Sequence, residues 1–121
     1  MERKSNLSYA SENDFSDTCE ELVLHRLPHP EKAMIRKGFF PETTKGLEEN
    51  RYQFVSLDAD LYSPILAGLE YFYPRMCRGG VILLHDYNNA RFQGAKLAVK
   101  HYEQSNGSLL LIPLSDLHGS A

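Results

Sequence analysis

Residues 54–64 read FVSLDADLYSP. An apolar run stops at Asp58, and a second acid follows at Asp60. Ser63 then caps a helix, with Pro64 at its first position, where its missing N–H costs nothing. Phe54, Val55 and Leu57 beside the small Ser56 predict a strand buried on both faces. Downstream, Ile65, Leu69, Phe72 and Met76 share one helical face. Arg78-Gly79-Gly80 breaks that helix. VILLHDY (81–87) is the next apolar run, and it too closes in polar residues. The connection over residues 59–80 is long enough for a helical crossover, so the two runs predict a parallel pair.

The flanking sequence extends this pattern. Residues 1–16 are polar and aperiodic and read as an N-terminal arm, with the folded part over 17–121. A helix is expected from Thr18, where Thr18 and Glu21 have capping-box spacing. Cys19, Leu22, Val23 and Leu27 repeat along it, and Pro28 and Pro30 end it. KAMIRKGFF (32–40) reads as a strand ending at Gly38. PETTKGLEENR (41–51) is a connection with a helical turn at its centre. In AKLAVKHYEQS (95–105), Ala95, Ala98, Val99 and Tyr102 share a face, and Asn106-Gly107 ends the helix. SLLLIPL (108–114) is the last expected strand. Helix-sized segments between apolar strands make the fold class α/β with a mainly parallel sheet.

Composition excludes several functions. The 121 residues are 42% hydrophobic and 24% charged, with a formal net charge of −3. No basic footprint exists for nucleic acid. No apolar stretch approaches the roughly 20 residues that span a membrane, and the N-terminus lacks the apolar centre of a signal peptide. Cys19 and Cys77 have no metal-binding spacing. A cytoplasmic protein with free thiols is expected. No GxxxxGK[ST] phosphate loop is present.

In open α/β sheets, ligands bind beyond the carboxyl ends of the strands. Those ends carry Gly38-Phe39-Phe40, Asp58-Ala59-Asp60 and His85-Asp86-Tyr87. If neighbouring strands lie about 4.8 Å apart, Asp58 and Asp86 can reach one cation. Close carboxylates repel and raise a pKa, and a hard divalent cation relieves that repulsion. Asp60, one step further into the loop, is free to accept a proton. Aspartates after strands also cap helices and build turns. The joint pattern of three acids at two strand ends is what argues for a site. His25, His29, His101 and His118 have no partner spacing and are expected at the surface. Tyr62, Tyr71, Phe72 and Tyr73 are expected to pack.

The stretch FVSLDADLYSPILAGLEYFYPRMCRGGVILLHDY (54–87) resembles the macrocin O-methyltransferase-like family of class I S-adenosylmethionine-dependent methyltransferases. ELVLHRLPHPEKAMIRKGFFPET (21–43), GAKLAVKHY (94–102) and LSDLHGSA (114–121) are similar to its flanking segments, so the resemblance covers about residues 14–121. It implies a partial Rossmann-like methyltransferase fold and methyl transfer to a hydroxyl oxygen of a small sugar or polyketide-like acceptor. Carried over by position, Asp58 is a metal ligand, Asp60 the base, and Asp86 a further ligand. His85 stands where the family's characterised antibiotic-modifying members have a second aspartate, so it joins the candidate ligands. Asn88 or water is the other candidate for that place. The implied metal is divalent, Mg²⁺ by resemblance, although an imidazole suits softer metals better. Gly38 and Phe39 are implied to lie near the adenine of the methyl donor.

The resemblance also implies missing parts. The family's glycine-rich turn after its first strand has no counterpart here, since the sequence contains no GxGxG. With a family strand order of 3-2-1-4-5-7-6, this chain is expected to supply strands 3, 4, 5 and 6, lacking the first two strands and most of the last. An incomplete donor site and no methyl transfer by these residues alone are therefore expected, and the isolated chain is expected either to repack its strands, to pair with a second copy or a separate N-terminal half, or to be poorly stable. Two rival readings stand beside it. D-x-D after a strand also fits a metal-dependent glycosyltransferase, and the missing donor motif fits a non-catalytic α/β module.

Overall fold

The computed structural model of the chain describes residues 19–88, 93–115 and 119–121. They fall into two compact units, one up to Lys37 and one from Gly38 onward. In the first, helix α1 spans Glu20–Arg26. Its cap is Cys19, whose Sγ accepts from the Leu22 N–H at 3.4 Å. The expected cap, Thr18, lies outside the described residues. So does the arm over 1–16. Glu20 and Glu21 in the first turn and His25 and Arg26 in the last complement the helix dipole.

The predicted strand over 32–40 does not form. A 3₁₀ turn at Pro30–Lys32 leads into irregular chain. A strand persists only against a neighbour that satisfies its backbone groups, and no described segment pairs with this one. A helical turn is present in 41–51, but at its start, Glu42–Thr44, and not at its centre.

The second unit is built on two parallel strands, β1 (Tyr52–Leu57) and β2 (Met76–Leu84), joined through helix α2 (Tyr62–Phe72). Helix α3 (Gly94–Asn106) follows. The parallel α/β arrangement predicted from residues 54–87 is therefore present. Phe54, Val55, Ser56 and Leu57 pair with Val81, Ile82, Leu83 and Leu84 in turn. Upstream the register slips, with Tyr52 opposite Met76. Gly79 and Gly80 occupy that irregularity inside β2 and do not break the preceding helix. A Cβ on Gly80 would stand 2.9 Å from the Cys77 carbonyl oxygen and 3.0 Å from that of Gln53. Pro74, which has no N–H to extend the ladder, marks the helix end instead, inside a 3₁₀ turn at Tyr73–Arg75. Helix α2 also starts two residues early, with Leu61 rather than Ser63 as N-cap, so that Pro64 is the third helical residue and not the first.

Val55, Leu57 and Leu84 meet Ile65 and Leu69 of α2 and Ala95, Ala98, Val99 and Tyr102 of α3 in one core. The α3 face is the one its sequence predicts. Burying a side chain such as Ile65 or Leu69 contributes about 1.5–3 kcal/mol. β1 is buried on one face only, contrary to the two-sided expectation. Phe54 is 61% and Val81 57% exposed, because both helices pack behind Val55 and Leu57. Phe72 packs against Phe40, Tyr52 and Tyr71, and Tyr73 against Tyr102. These aromatics build packing, as expected.

SLLLIPL is extended but joins no sheet. Leu109 and Leu111 pack on the core, whereas Leu110 is 90% exposed. This alternation suits a strand, but Pro113 lacks a ladder donor. An apolar cavity of about 590 Å³ lies between this segment and β2, and among the described residues no acid or histidine lines it. At the chain end, Ala121 and Leu84 exchange both backbone hydrogen bonds, at 2.6 and 3.0 Å. That reciprocity is the signature of an antiparallel pair. Among the described residues, no helix is long and apolar enough to cross a membrane.

Candidate functional site

The strand register creates the site. Leu57 and Leu84 are directly paired, so the two chains leave the sheet side by side. The His85 N–H donates to the Leu57 carbonyl at 3.1 Å, carrying the pairing one residue past the strand. Asp58 and Asp60 follow β1, and Asp86 follows β2. One carboxylate oxygen from each lies within 4.8 Å of the others. Asp58 and Asp60 are exposed and Asp86 is half-buried.

Two of these acids hold unusual backbone. Asp60 has φ 58° and Asp86 φ 56°, and they are the described non-glycine residues with positive φ. The Leu61 N–H donates to the Ala59 carbonyl at 2.6 Å. Asp60 is thus the central residue of a γ-turn with positive φ, a rare and strained form. The Leu61 carbonyl then accepts from the Ile65 N–H at 3.2 Å, and α2 begins. Strain of this kind persists where the surroundings over-determine it, and it concentrates at functional sites.

The electrostatics are those of crowded acids. Partial burial, a hydrogen bond with Asp86, and the charges of Asp58 and Asp86 all push the Asp60 carboxyl above its usual range. His85 acts in the opposite direction. Three oxygen donors this close suit a hard divalent cation, whose charge relieves the repulsion.

The other predicted residues lie as follows. His85 is beside the acids but outside their group, and its Nε2 is 3.0 Å from the Ser56 hydroxyl. Gly38 and Phe39 are not at a strand end, because residues 33–40 form no strand. They sit in the loop before the Glu42–Thr44 turn, Gly38 with φ 143° and Phe39 86% exposed. Of the histidines expected to stand apart, His101 has a partner. Its Nδ1 is 2.5 Å from the Tyr62 hydroxyl. His118 lies outside the described residues.

Three supporting residues have no signal in the sequence. Ser56 reads there only as a small strand residue, yet it holds His85. Gly119, at φ 70°, is packed so closely on Asn88 that a Cβ would stand 3.1 Å from the Asn88 carbonyl carbon. Its carbonyl accepts from the Asn88 N–H at 2.7 Å, fixing the loop that carries Asp86. Gly94 lies against the Asp60 turn in the same manner.

Residues 25–117 match the macrocin-O-methyltransferase (TylF) family. A curated relative is 8-demethyl-8-(2,3-dimethoxy-alpha-L-rhamnosyl)-tetracenomycin-C 4'-O-methyltransferase of Streptomyces olivaceus. It is 30% identical over 83 residues, 69% of this chain and 30% of the relative. Among solved structures, that of apo CalS11, a TDP-rhamnose 3'-O-methyltransferase in calicheamicin biosynthesis, aligns with 58% of this chain and 31% of that one. The TM-score is 0.48 and the identity 20%. The chain spans under a third of the length of these proteins.

Proposed function

Because the chain belongs to the macrocin-O-methyltransferase (TylF) family, we propose that it carries the acceptor side of an S-adenosylmethionine-dependent O-methyltransferase site. The observation that carries this reading is the convergence of Asp58, Asp60 and Asp86 at two paired strand ends. Asp58 and Asp86 hold a divalent cation, Mg²⁺ by the hardness of the donors, and Asp60 is the base. When bound, the cation supplies a positive charge that lowers the pKa of an acceptor hydroxyl. The acceptor is a sugar hydroxyl, a class supported by the rhamnosyl group in the substrate for which the tetracenomycin relative is named.

The chain's own chemistry is orientation and proton removal. The acceptor O–H gives its proton to the Asp60 carboxylate. The oxygen forms a bond to the methyl carbon of the sulfonium donor, and the C–S bonding pair stays on sulfur as a neutral thioether. A cationic leaving group needs no acid, so one base suffices. The raised Asp60 pKa strengthens it as a base relative to an ordinary aspartate. His85, held by Ser56, stands beside the acids as a positive charge when protonated. Phe39 presents an exposed ring that suits stacking on an adenine.

Mn²⁺ binding to the parent chain and three variants, followed by electron paramagnetic resonance, tests the division of roles. Asp58→Asn and Asp86→Asn are expected to weaken binding by about tenfold or more. Asp60→Asn is expected to leave it within a few-fold. Equal losses in all three would make Asp60 a ligand and remove it as the base.

A further inference from the structure

Gly94 is the first residue of α3 and has ordinary helical backbone, so its conformation does not require glycine. Space does. A Cβ there would stand 2.6 Å from the Tyr62 nitrogen, 3.1 Å from the Leu61 carbonyl carbon and 3.3 Å from the Asp60 carbonyl oxygen. All three are backbone atoms, with no flexible side chain to yield. Leu61 is tied on both sides, through its N–H to Ala59 and its carbonyl to Ile65. Nor can α3 retreat, since Ala95, Ala98 and Val99 are 1%, 0% and 1% exposed in the core.

We propose that Gly94 is a positioning residue for Asp60: its bare Cα lets α3 press on the Asp60–Tyr62 backbone and hold Asp60 in the left-handed turn that brings its carboxylate to Asp58 and Asp86. The contact couples helix packing to site geometry. Core burial of α3 supplies the force, and the γ-turn at Asp60 receives it. An alanine at this position has to displace either the helix or the turn. The turn is the weaker of the two, being strained and exposed, whereas the helix is anchored by its buried face. The chemical purpose of holding Asp60 rests on the function proposed above, but the placement itself does not.

Solution NMR on the whole 121-residue chain, first metal-free and then with Mg²⁺, tests this. Three-bond couplings from the amide proton report the φ of Asp60. Positive φ is expected in the parent. In Gly94→Ala those couplings should leave the left-handed range, with shift changes confined to residues 59–62 while the Ile65, Leu69 and Val99 amides stay in place. Ala98→Gly weakens the same helix without touching the turn. It should lower the Tm and leave the Asp60 couplings unchanged. The proposal is overturned if Gly94→Ala keeps Asp60 at positive φ. It is also overturned if that variant does not fold, or if Ala98→Gly moves Asp60 equally, because Gly94 then serves the fold alone. The Mg²⁺ arm is separate. A parent chain indifferent to Mg²⁺ removes the metal reading and leaves the metal-free comparison intact.

Discussion

Asp60 and Asp86 sit at the ends of neighbouring parallel strands, both in left-handed backbone, at φ 58° and 56°, with carboxylate oxygens within 4.8 Å of each other. Two local costs are thereby concentrated at one place, backbone strain and like-charge repulsion. Neither is needed to connect β1 to α2 or β2 to the chain beyond it. A ligand that binds the acids together offsets the repulsion, which is why the pair reads as a site.

Replacing Asp60 by asparagine separates stability from function. Asparagine tolerates positive φ as well as aspartate does, and it carries no charge. In the metal-free chain, Asp60→Asn should be more stable than the parent by about 0.5 kcal/mol, the scale of a screened surface charge pair. Thermal unfolding in low salt measures this, and the gain should shrink at high ionic strength. Unchanged or lower stability would show that the repulsion is already dissipated by solvent.

The Asp60 titration has a definite sign. Its folded pKa lies above the ordinary aspartate value of 3.8, through burial first and the neighbouring acids second. A raised carboxyl pKa means the folded state binds protons more tightly. The stabilising contribution is thus fully present below the unfolded value and is lost as pH rises through the folded one. A carboxyl NMR titration of the metal-free chain should place the Asp60 midpoint above 3.8, and Asp86→Asn should lower it. A midpoint at or below that ordinary value would contradict crowding of the three acids.

Burial separates two leucines of similar chemistry. Leu69 is 2% exposed between α2 and the rest of the core, and Leu110 is 90% exposed. Leu69→Ala should destabilise the chain by about 2–5 kcal/mol, and Leu110→Ala should stay within about 0.5 kcal/mol. Denaturant unfolding checks both. A large loss at Leu110 would show that the 109–114 segment is covered in solution.

The reciprocal Leu84–Ala121 pairing predicts slow amide exchange at Leu84. Deleting residues 119–121 should speed exchange at both Leu84 and Asn88, since Gly119 accepts from Asn88. Exchange unchanged by the deletion would mean that the chain end adds no protection to the Asp86 loop.

The legible part of this protein was local. The apolar runs before Asp58 and His85, with a helix-length connection between them, foretold the parallel pair, and that pairing sets the two acid-bearing strand ends side by side. The α3 core face was legible because Ala95, Ala98, Val99 and Tyr102 repeat at helical spacing. What failed depended on neighbours. KAMIRKGFF and SLLLIPL have strand composition but no ladder partner among the described residues, and propensity cannot supply one. Gly79-Gly80 read as a helix stop because a bulge inside a strand leaves the same mark. The Gly94 contact was invisible because it is a question of space between segments far apart in sequence. His85 drew attention as a candidate ligand, while the Ser56 hydroxyl that holds it looked like filler.

The proposed site has Asp58 and Asp86 as ligands of one divalent cation and Asp60 beside them as the base. Its most direct test is a Mg²⁺ titration of the chain with the side-chain carboxyl carbons of the aspartates observed by NMR. The Asp58 and Asp86 signals are expected to shift together along one curve that saturates by about 10 mM, roughly ten times the ~1 mM dissociation constant of the weakest oxygen-ligand sites, and Asp86→Asn to abolish the response. Signals that stay fixed through that concentration, or that drift independently without saturating, would contradict it.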